Sequence, residues 1–336
     1  MKNDLIHFAI IGCGTVARFH AEAIASVEGA VLCGVADHDE QRAKAFAESH
    51  RVKAYPDSAC LLGDPDVDAV CICTPSGFHT ENTLAALNVR KHVVLEKPMA
   101  LNFADAHRLT LAAEKSGLLL TVICQFRFSD DIQKVKTLLK NNAFGKVTMC
   151  SLYMKYWRDE QYYASSSWKG RRGTDGGMLM NQGVHGVDEL LFLMGDAAVL
   201  HAETETAYHK IEAEDTAAAL LRFRSGALGT LEASTCSYPG FRMRLEIMGT
   251  DGCAVLCENR LEKLIAGRRT LIDRKEVTGT QTYRDPTSMD STLHARQIAN
   301  FVRALQGKEK LMIDGGEGEK AVRLIEEIYR FHEKET

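Results

Sequence analysis

Proline is scarce in this chain, six residues in 336, and tryptophan scarcer still, with two. So little proline excludes polyproline recognition segments and proline-rich linkers. No apolar run approaches the length of a membrane span. Neither sign of charge dominates: 41 Lys and Arg stand against 45 Asp and Glu, a net charge of −4, so no nucleic acid and no anionic membrane surface is expected as a partner. The first residues lead straight into the apolar stretch Ile6–Ile11 without the basic and apolar regions of a secretory signal, and a cytoplasmic location is the expectation.

Cysteine is plentiful, ten residues, but its settings do not suit a metal or a disulfide framework. Cys33, Cys71, Cys73, Cys124 and Cys150 lie inside apolar runs, where a free thiol behaves as a small hydrophobe. Cys253 and Cys257 have no Cys or His pair nearby at zinc-ligand spacing. A reduced protein without a structural metal follows.

The length allows two domains. In the first part, apolar strands alternate with amphipathic helices: strands at Leu5–Ile11, Val31–Ala36, Val67–Cys73, His92–Glu96 and Leu118–Cys124. Such alternation implies a parallel, doubly wound sheet with helices on both faces. The first strand runs into Gly12-Cys13-Gly14-Thr15-Val16-Ala17, the pattern of a dinucleotide loop. Gly12 allows the tight turn, Gly14 lets backbone approach a pyrophosphate, and the helix that follows offers its amino terminus to the phosphates. Twenty residues after Ala17, Asp37 ends the second strand where a carboxylate holds ribose hydroxyls. Asp37 and Asp39 would repel a 2′-phosphate, so NAD is favoured over NADP, a preference that Arg42 tempers. Asp37 also reads as a simple helix cap.

Thr74-Pro75-Ser76 and Glu96-Lys97-Pro98 end two further strands, at the edge where open parallel sheets bind ligands. Alone, Lys97 reads as a solvated surface lysine. Convergence with the glycine loop makes it a candidate for proton chemistry, since desolvation and nearby positive charge favour the neutral amine. His79 either touches the cofactor or only begins its helix.

After Cys124 the pattern changes. A helix over Ser129–Asn141 is followed by alternating runs at Val147–Trp157, Thr216–Phe223, Leu228–Tyr238 and Arg242–Met248, which indicate a large, mostly antiparallel open sheet. Its apolar faces exceed what one helical layer covers, so a homodimer or homotetramer is expected. Two helices, about 292–306 and 316–334, close the chain. The expected boundaries are a dinucleotide-binding domain over 1–124 and an α/β substrate and assembly domain over 125–336. An irregular segment holds Arg158, Tyr162, Tyr163, Trp168, Lys169, Arg171 and Arg172, which suits an anionic ligand with a ring to stack on, or a solvated basic loop. The glycines at 173, 176 and 177 enter a helical run, Met178–Met194, on which Asn181 and His185 share a face. A metal held by His185 with Asp188 or Glu189 lacks a third ligand in sequence.

With these pieces assembled, the chain resembles the Gfo/Idh/MocA family of nicotinamide-dependent oxidoreductases over essentially its whole length. The resemblance rests on Gly12 to Ala17, Thr74-Pro75-Ser76 with His79, Glu96-Lys97-Pro98, Gln125-Phe126-Arg127, and Gly176-Gly177 leading to Asn181-Gln182-Gly183-Val184-His185. Many polyol and simple-sugar members carry aspartate in place of Asn181, and the segment from Tyr162 to Gln182 is more similar to bacterial UDP-N-acetylglucosaminuronate 3-dehydrogenases. The resemblance implies hydride transfer to NAD from a secondary hydroxyl of a sugar, sugar nucleotide or polyol. Lys97 and His185 would be catalytic. Gly12, Cys13, Gly14, Thr15, Val16, Asp37, Arg42, Thr74, Pro75, Ser76, His79, Glu96 and Lys97 would bind the cofactor. Arg127, Trp168, Lys169, Arg171, Asn181 and His185 would bind substrate. Because asparagine lacks the charge to raise a neighbour's basicity, the proton role shifts towards Lys97. Competing readings are a glycosidase or lyase that recycles its NAD internally, and a non-catalytic NAD-binding sensor.

Overall fold

A computed structural model describes residues 5–274 and 290–335. The lead from Met1 towards the first strand lies outside the described residues. Parallel pairing dominates from the start, through β1 (Ile6–Ile11), α1 (Thr15–Ser26), β2 (Ala30–Ala36), α2 (Glu40–His50), β3 (Lys53–Ala54), α3 (Ser58–Leu62), β4 (Ala69–Ile72), α4 (His79–Asn88), β5 (His92–Leu95), α5 (Phe103–Ser116) and β6 (Leu120–Val122). The sheet order is β3-β2-β1-β4-β5-β6, every pair parallel. The chain reverses direction in the order between β1 and β4, which opens a crevice at their carboxyl ends. The central strands are short and, apart from His7 and His92, apolar, and β4 is buried along its full length, as a sheet covered on both faces requires.

Local signals set the helix limits. Asp39 caps α2 by accepting the amides of Gln41 and Arg42, and Asn102 caps α5 by accepting that of Asp105 at 2.8 Å. At Gly12 φ is +94°, and a β-carbon there would lie 2.8 Å from the carbonyl of Cys73. Only glycine lets the first turn press against the end of β4.

The second sheet is built after α6 (Asp130–Lys140) from β7 (Val147–Lys155). Next come α7 (Glu160–Ala164), a π-helical turn at Met178–Gly183 and α8 (Val184–Met194). The remaining strands are β8 (Ala197–Glu205), β9 (Thr216–Phe223), β10 (Leu228–Ser234), β11 (Arg244–Gly249), β12 (Cys253–Cys257), β13 (Arg260–Ala266) and β14 (Arg269–Asp273). Their order is β14-β13-β12-β11-β7-β10-β9-β8. All pairs are antiparallel except β7 with β10. Strand β9 alternates buried and exposed residues along its length. Two helices end the chain, α9 (Thr292–Leu305) and α10 (Gly315–Glu335).

Two compact units result: Met1–Gln125 with Thr287–Glu319, and Phe126–Pro286 with Lys320–Thr336. A single boundary after residue 124 therefore leaves out a return. Ile298, Phe301 and Val302 of α9 are fully buried in the core of Phe8, Ile10 and Ile24, so apolar packing returns this helix to the first unit. Among the described residues no helix is long and apolar enough to cross a membrane.

A buried ion pair ties α8 to the turn before α6. Arg127 is 1% exposed and forms a two-pronged bond to Asp188, Nε to Oδ2 at 3.0 Å and an Nη2 contact to Oδ1 at 2.7 Å. Its guanidinium also lies 4.8 Å from the centre of the Phe192 ring. This corrects the expectation that Arg127 grips substrate: a desolvated guanidinium needs a carboxylate, and Asp188 supplies it inside the fold. Removing one partner is costly, whereas replacing both is not. Asp188→Asn should lower unfolding free energy by about 3–5 kcal/mol, and the pair Arg127→Met, Asp188→Leu by much less, as read from urea denaturation.

Glu189, beside it, is 1% exposed with no hydrogen-bond partner on either oxygen. Burial, and secondarily the Asp188 charge, holds its carboxyl well above the usual range. The folded state thus keeps a proton that the unfolded chain releases above its ordinary value. The resulting loss of stability begins as pH rises past that ordinary value and grows until the folded group ionises. Glu189→Gln removes it. The variant should gain about 1–3 kcal/mol over the parent at pH 8 and little at pH 4, measured by denaturation at both values.

Candidate functional site

The first unit gathers its chemistry on one strand edge. Gly14 and Thr15 are exposed at the start of α1, which has no side-chain cap and no acidic residue in its first turn. Those amides face outward without a protein acceptor from a cap, the condition for holding an anion. A β-carbon at Gly14 would meet nothing within 4 Å, so the space beside the loop is open. Cys13 donates its amide to Asp37 Oδ2 at 2.7 Å, which ties the glycine loop to the end of β2. Val16 is half-buried beneath it. The other oxygen of Asp37 accepts the Asp39 amide at 2.9 Å and faces His38 and Arg42 at 3.1 and 3.5 Å. Asp39 itself is spent on capping α2. Thr74 contributes a buried hydroxyl with no partner, Pro75 precedes a short 3₁₀ turn, and Ser76 is buried. An uncapped helix start, an acidic strand end and an orphaned hydroxyl on one edge fit a dinucleotide.

His79 begins α4 with its ring turned inward. Its ring is 1% exposed, with Nδ1 at 2.7 Å from the Pro98 carbonyl and Nε2 at 2.9 Å from that of Thr74. Both partners are acceptors, so a neutral ring donates to one at a time, and burial pushes the pKa down. The ring braces the loop after β4 against the loop after β5. Glu96 is also turned inward: Oε1 lies 2.8 Å from His20 Nε2, and Oε2 accepts the Lys97 amide at 3.1 Å. Lys97 follows, half-buried, with a cis peptide to Pro98.

In the second unit the candidates surround an irregular segment. Lys169 lies 4.0 Å from the centre of the Tyr162 ring and 5.9 Å from that of Trp168. Its amine donates to the Tyr162 carbonyl at 3.3 Å and the Ser165 hydroxyl at 3.0 Å, and burial lowers its pKa. Arg158 flanks Tyr162, its guanidinium 5.1 Å from the ring centre. Arg171 is exposed. The segment therefore presents rings and positive charge together.

Three carboxylates anchor this part, none singled out from sequence. Asp175, 2% exposed, accepts the Gly170 amide at 2.7 Å and the side-chain amide of Asn181. Glu214 accepts the Leu179 amide and the Tyr329 hydroxyl, each at 2.8 Å, and burial raises it to about 7. A β-carbon at Gly177 would strike its carboxylate at 1.8 Å, so this glycine is required by close approach. Asp215, fully buried, accepts the amides of Ala207, Tyr208 and His209. Only the glycine-rich entry hinted that a buried acid waits beneath it. His185 is half-buried on α8, its ring 5.1 Å from Phe126. Gln182 donates to the Tyr162 hydroxyl at 3.1 Å, which joins the helix entry to the aromatic segment.

Comparison with known proteins places both units. Residues 6–124 match the oxidoreductase family model described as an NAD-binding Rossmann fold, and residues 132–255 match the Gfo/Idh/MocA C-terminal domain. The chain is 28% identical to the myo-inositol 2-dehydrogenase of Thermotoga maritima, with 95% of this chain and 94% of that protein covered. It is 24% identical to the D-glucoside 3-dehydrogenase of Escherichia coli, covering 100% and 98%. Among solved structures, the WlbA dehydrogenase from Bordetella pertussis, in complex with NADH and UDP-GlcNAcA, superimposes with a TM-score of 0.89 at 28% identity. That match covers 99% of this chain and 98% of that one. The family unites NAD(P)-dependent dehydrogenases acting on CH–OH groups of sugars and polyols, and the two model matches, one on each sheet, follow the same order as the motifs. This chain belongs to the Gfo/Idh/MocA oxidoreductase family.

Proposed function

We propose that the chain oxidises a secondary ring hydroxyl to a ketone with NAD, and that its substrate is a UDP-sugar acid oxidised at C3. The observation that carries the reading is the position of Lys97, one residue beyond a fixed carboxylate and on the strand edge that holds Gly14 and Asp37. Bound NAD supplies the acceptor for the hydride leaving the carbinol carbon. Lys97 takes the hydroxyl proton as base, with His185 orienting or relaying it. Asn181, steadied by Asp175, helps orient the ring. The rings of Tyr162 and Trp168 with the cations of Arg158, Lys169 and Arg171 suit a base to stack on and anionic groups to pair with. Binding energy gathered on the remote nucleotide orients the reacting carbon. The UDP-GlcNAcA held by the similar WlbA structure supports this substrate over an uncharged polyol.

Lys97→Ala should keep NADH binding, followed by nicotinamide fluorescence, and lose turnover by about 10²–10⁴-fold. The assay is NADH formation from UDP-GlcNAcA and from myo-inositol. Activity confined to inositol would reject the nucleotide-sugar assignment, and near-normal turnover in Lys97→Ala would reject the base.

Asp37 favours NAD, because its carboxylate stands beside the glycine loop where a 2′-phosphate would meet like charge. Asp37→Ser should move the NADP-to-NAD ratio of kcat/KM towards NADP by at least about tenfold. An unchanged ratio would place discrimination elsewhere.

A further inference from the structure

A buried acid–base pair beneath Lys97 has no place in the mechanism above. His20 is fully buried on α1, one and a half turns from the glycine loop, and Glu96 is 5% exposed at the end of β5. One oxygen of Glu96 meets His20 Nε2 at 2.8 Å, and the other accepts the backbone amide of Lys97 at 3.1 Å. The carboxylate therefore bridges the helix that carries the phosphate loop to the peptide that carries the lysine. We propose that His20 and Glu96 are positioning residues that act as an ion pair, fixing the Lys97 peptide to α1 and setting the charge beside its amine. The proposal rests on the reading of Lys97 as base.

The groups around the pair come from every neighbouring element. His294 on α9 packs its ring edge-on to His20 at 5.8 Å and stacks on Phe19 at 5.7 Å. Cys71 and Cys73 face His20 from β4, His79 faces Glu96 from α4, and Lys97 adjoins it. Burial opposes charge on His20, Cys73, His79, Glu96 and His294. For Glu96 that cost is outweighed by the bond and charge of His20, then by His294 and Lys97, and the carboxyl stays well below its usual range. Burial opposes charge on His20 as well, and with the Cys73 thiol protonated the ionised group in contact with the ring is the Glu96 oxygen 2.8 Å from Nε2. His294, with no partner on Nδ1, is pushed down to about 4 and stays neutral. Burial likewise keeps the Cys73 thiol protonated, its pKa pushed up to about 11. With Glu96 ionised beside it, His20 takes the second proton in this pairing even though its Nδ1 has no hydrogen-bond partner, which gives one imidazolium and one carboxylate. The carboxylate is the nearer to the lysine peptide, so it favours the ammonium form of Lys97.

The test uses the full chain labelled at histidine Cε1, with variants Glu96→Gln, Glu96→Asp and His20→Gln. The His20 resonance, identified by its loss in His20→Gln, is expected to report imidazolium across pH 6–8 and to turn neutral in Glu96→Gln. A neutral His20 at pH 7 in the parent protein overturns the ion pair. With UDP-GlcNAcA and NAD, Glu96→Gln should lower kcat by at least about tenfold while NADH affinity stays within about threefold. Its rising limb of rate against pH should move down by about half a unit or more, because a negative charge beside the amine is gone. Glu96→Asp keeps the charge but is one methylene too short to span both partners, so kcat should fall with the limb unmoved. If Glu96→Gln follows the parent in kcat and limb while Lys97→Ala is inactive, this proposal alone fails. If Lys97→Ala is active, the reading of the base fails and takes the positioning role with it, while the histidine resonance still reports the pair.

Discussion

Six strands that all run the same way must all end on the same edge, and the first unit is organised by that geometric fact. It brings Gly12, Asp37, Thr74 and Glu96, separated along the chain, to one line. Nothing else in the fold could gather them, because each sits just past the last paired residue of its strand. The edge is also where backbone groups leave the ladder, so side chains have to satisfy them. Asp37 takes the amides of Cys13 and Asp39, Glu96 that of Lys97, and His79 bridges the carbonyls of Thr74 and Pro98. Residues that looked like cofactor contacts are thus partly the scaffold of the edge itself.

The second unit solves the same problem without a parallel edge. Its irregular stretch between β7 and α8 has few backbone partners of its own, and buried carboxylates supply them. Asp175 closes the turn at Gly170 and Glu214 takes the amide of Leu179 inside the π-helical turn, while between β8 and β9 Asp215 gathers the three successive amides of Ala207, Tyr208 and His209. A carboxylate offers about four acceptor sites, so one side chain can replace several ladder bonds. Each carries a desolvation cost, visible as the raised pKa of Glu214. Glu189 bears that cost with no bonds in return.

Legibility in the sequence follows this division. The parallel sheet was readable because its strands are short apolar runs punctuated by glycine, proline and acid, and β9 because it alternates strictly. Strands β8 and β12 to β14 were not: β12 and β14 span five residues each, and β8 and β14 expose much of their length, which leaves little apolar period to detect. The return of α9 to the first unit was hidden because an amphipathic helix does not declare which core it covers. Lys97 and His185 were singled out through motif and spacing. Asp175, Glu214 and His20 were missed because a single buried polar residue has no periodic signal. Arg127 was misread for the same reason: sequence shows the charge but not the aspartate 61 residues away on α8 that neutralises it.

Asn181 is where the two kinds of reading meet. Asparagine in place of the aspartate common in the family takes from the helix the charge that would raise a neighbouring histidine's basicity. Asp175 restores one, from the turn before the helix rather than from the helix itself, bonded to the Asn181 amide nitrogen. That bond fixes which way the amide points, since its nitrogen must face the acid and its oxygen the opposite side. The negative charge sits within the glycine-rich entry, where it acts on Tyr162, Tyr163 and Lys169, and it meets the Asn181 face of the helix through a neutral, oriented amide. Such an arrangement can direct a hydrogen bond but cannot raise a histidine's basicity as a directly bonded carboxylate does. The same economy holds around Lys97, where the ionised Glu96 spends one oxygen on His20 and the other on the peptide. In each unit the acid nearest the candidate chemistry is bonded into the frame, which leaves an amine and an imidazole as the groups suited to proton transfer.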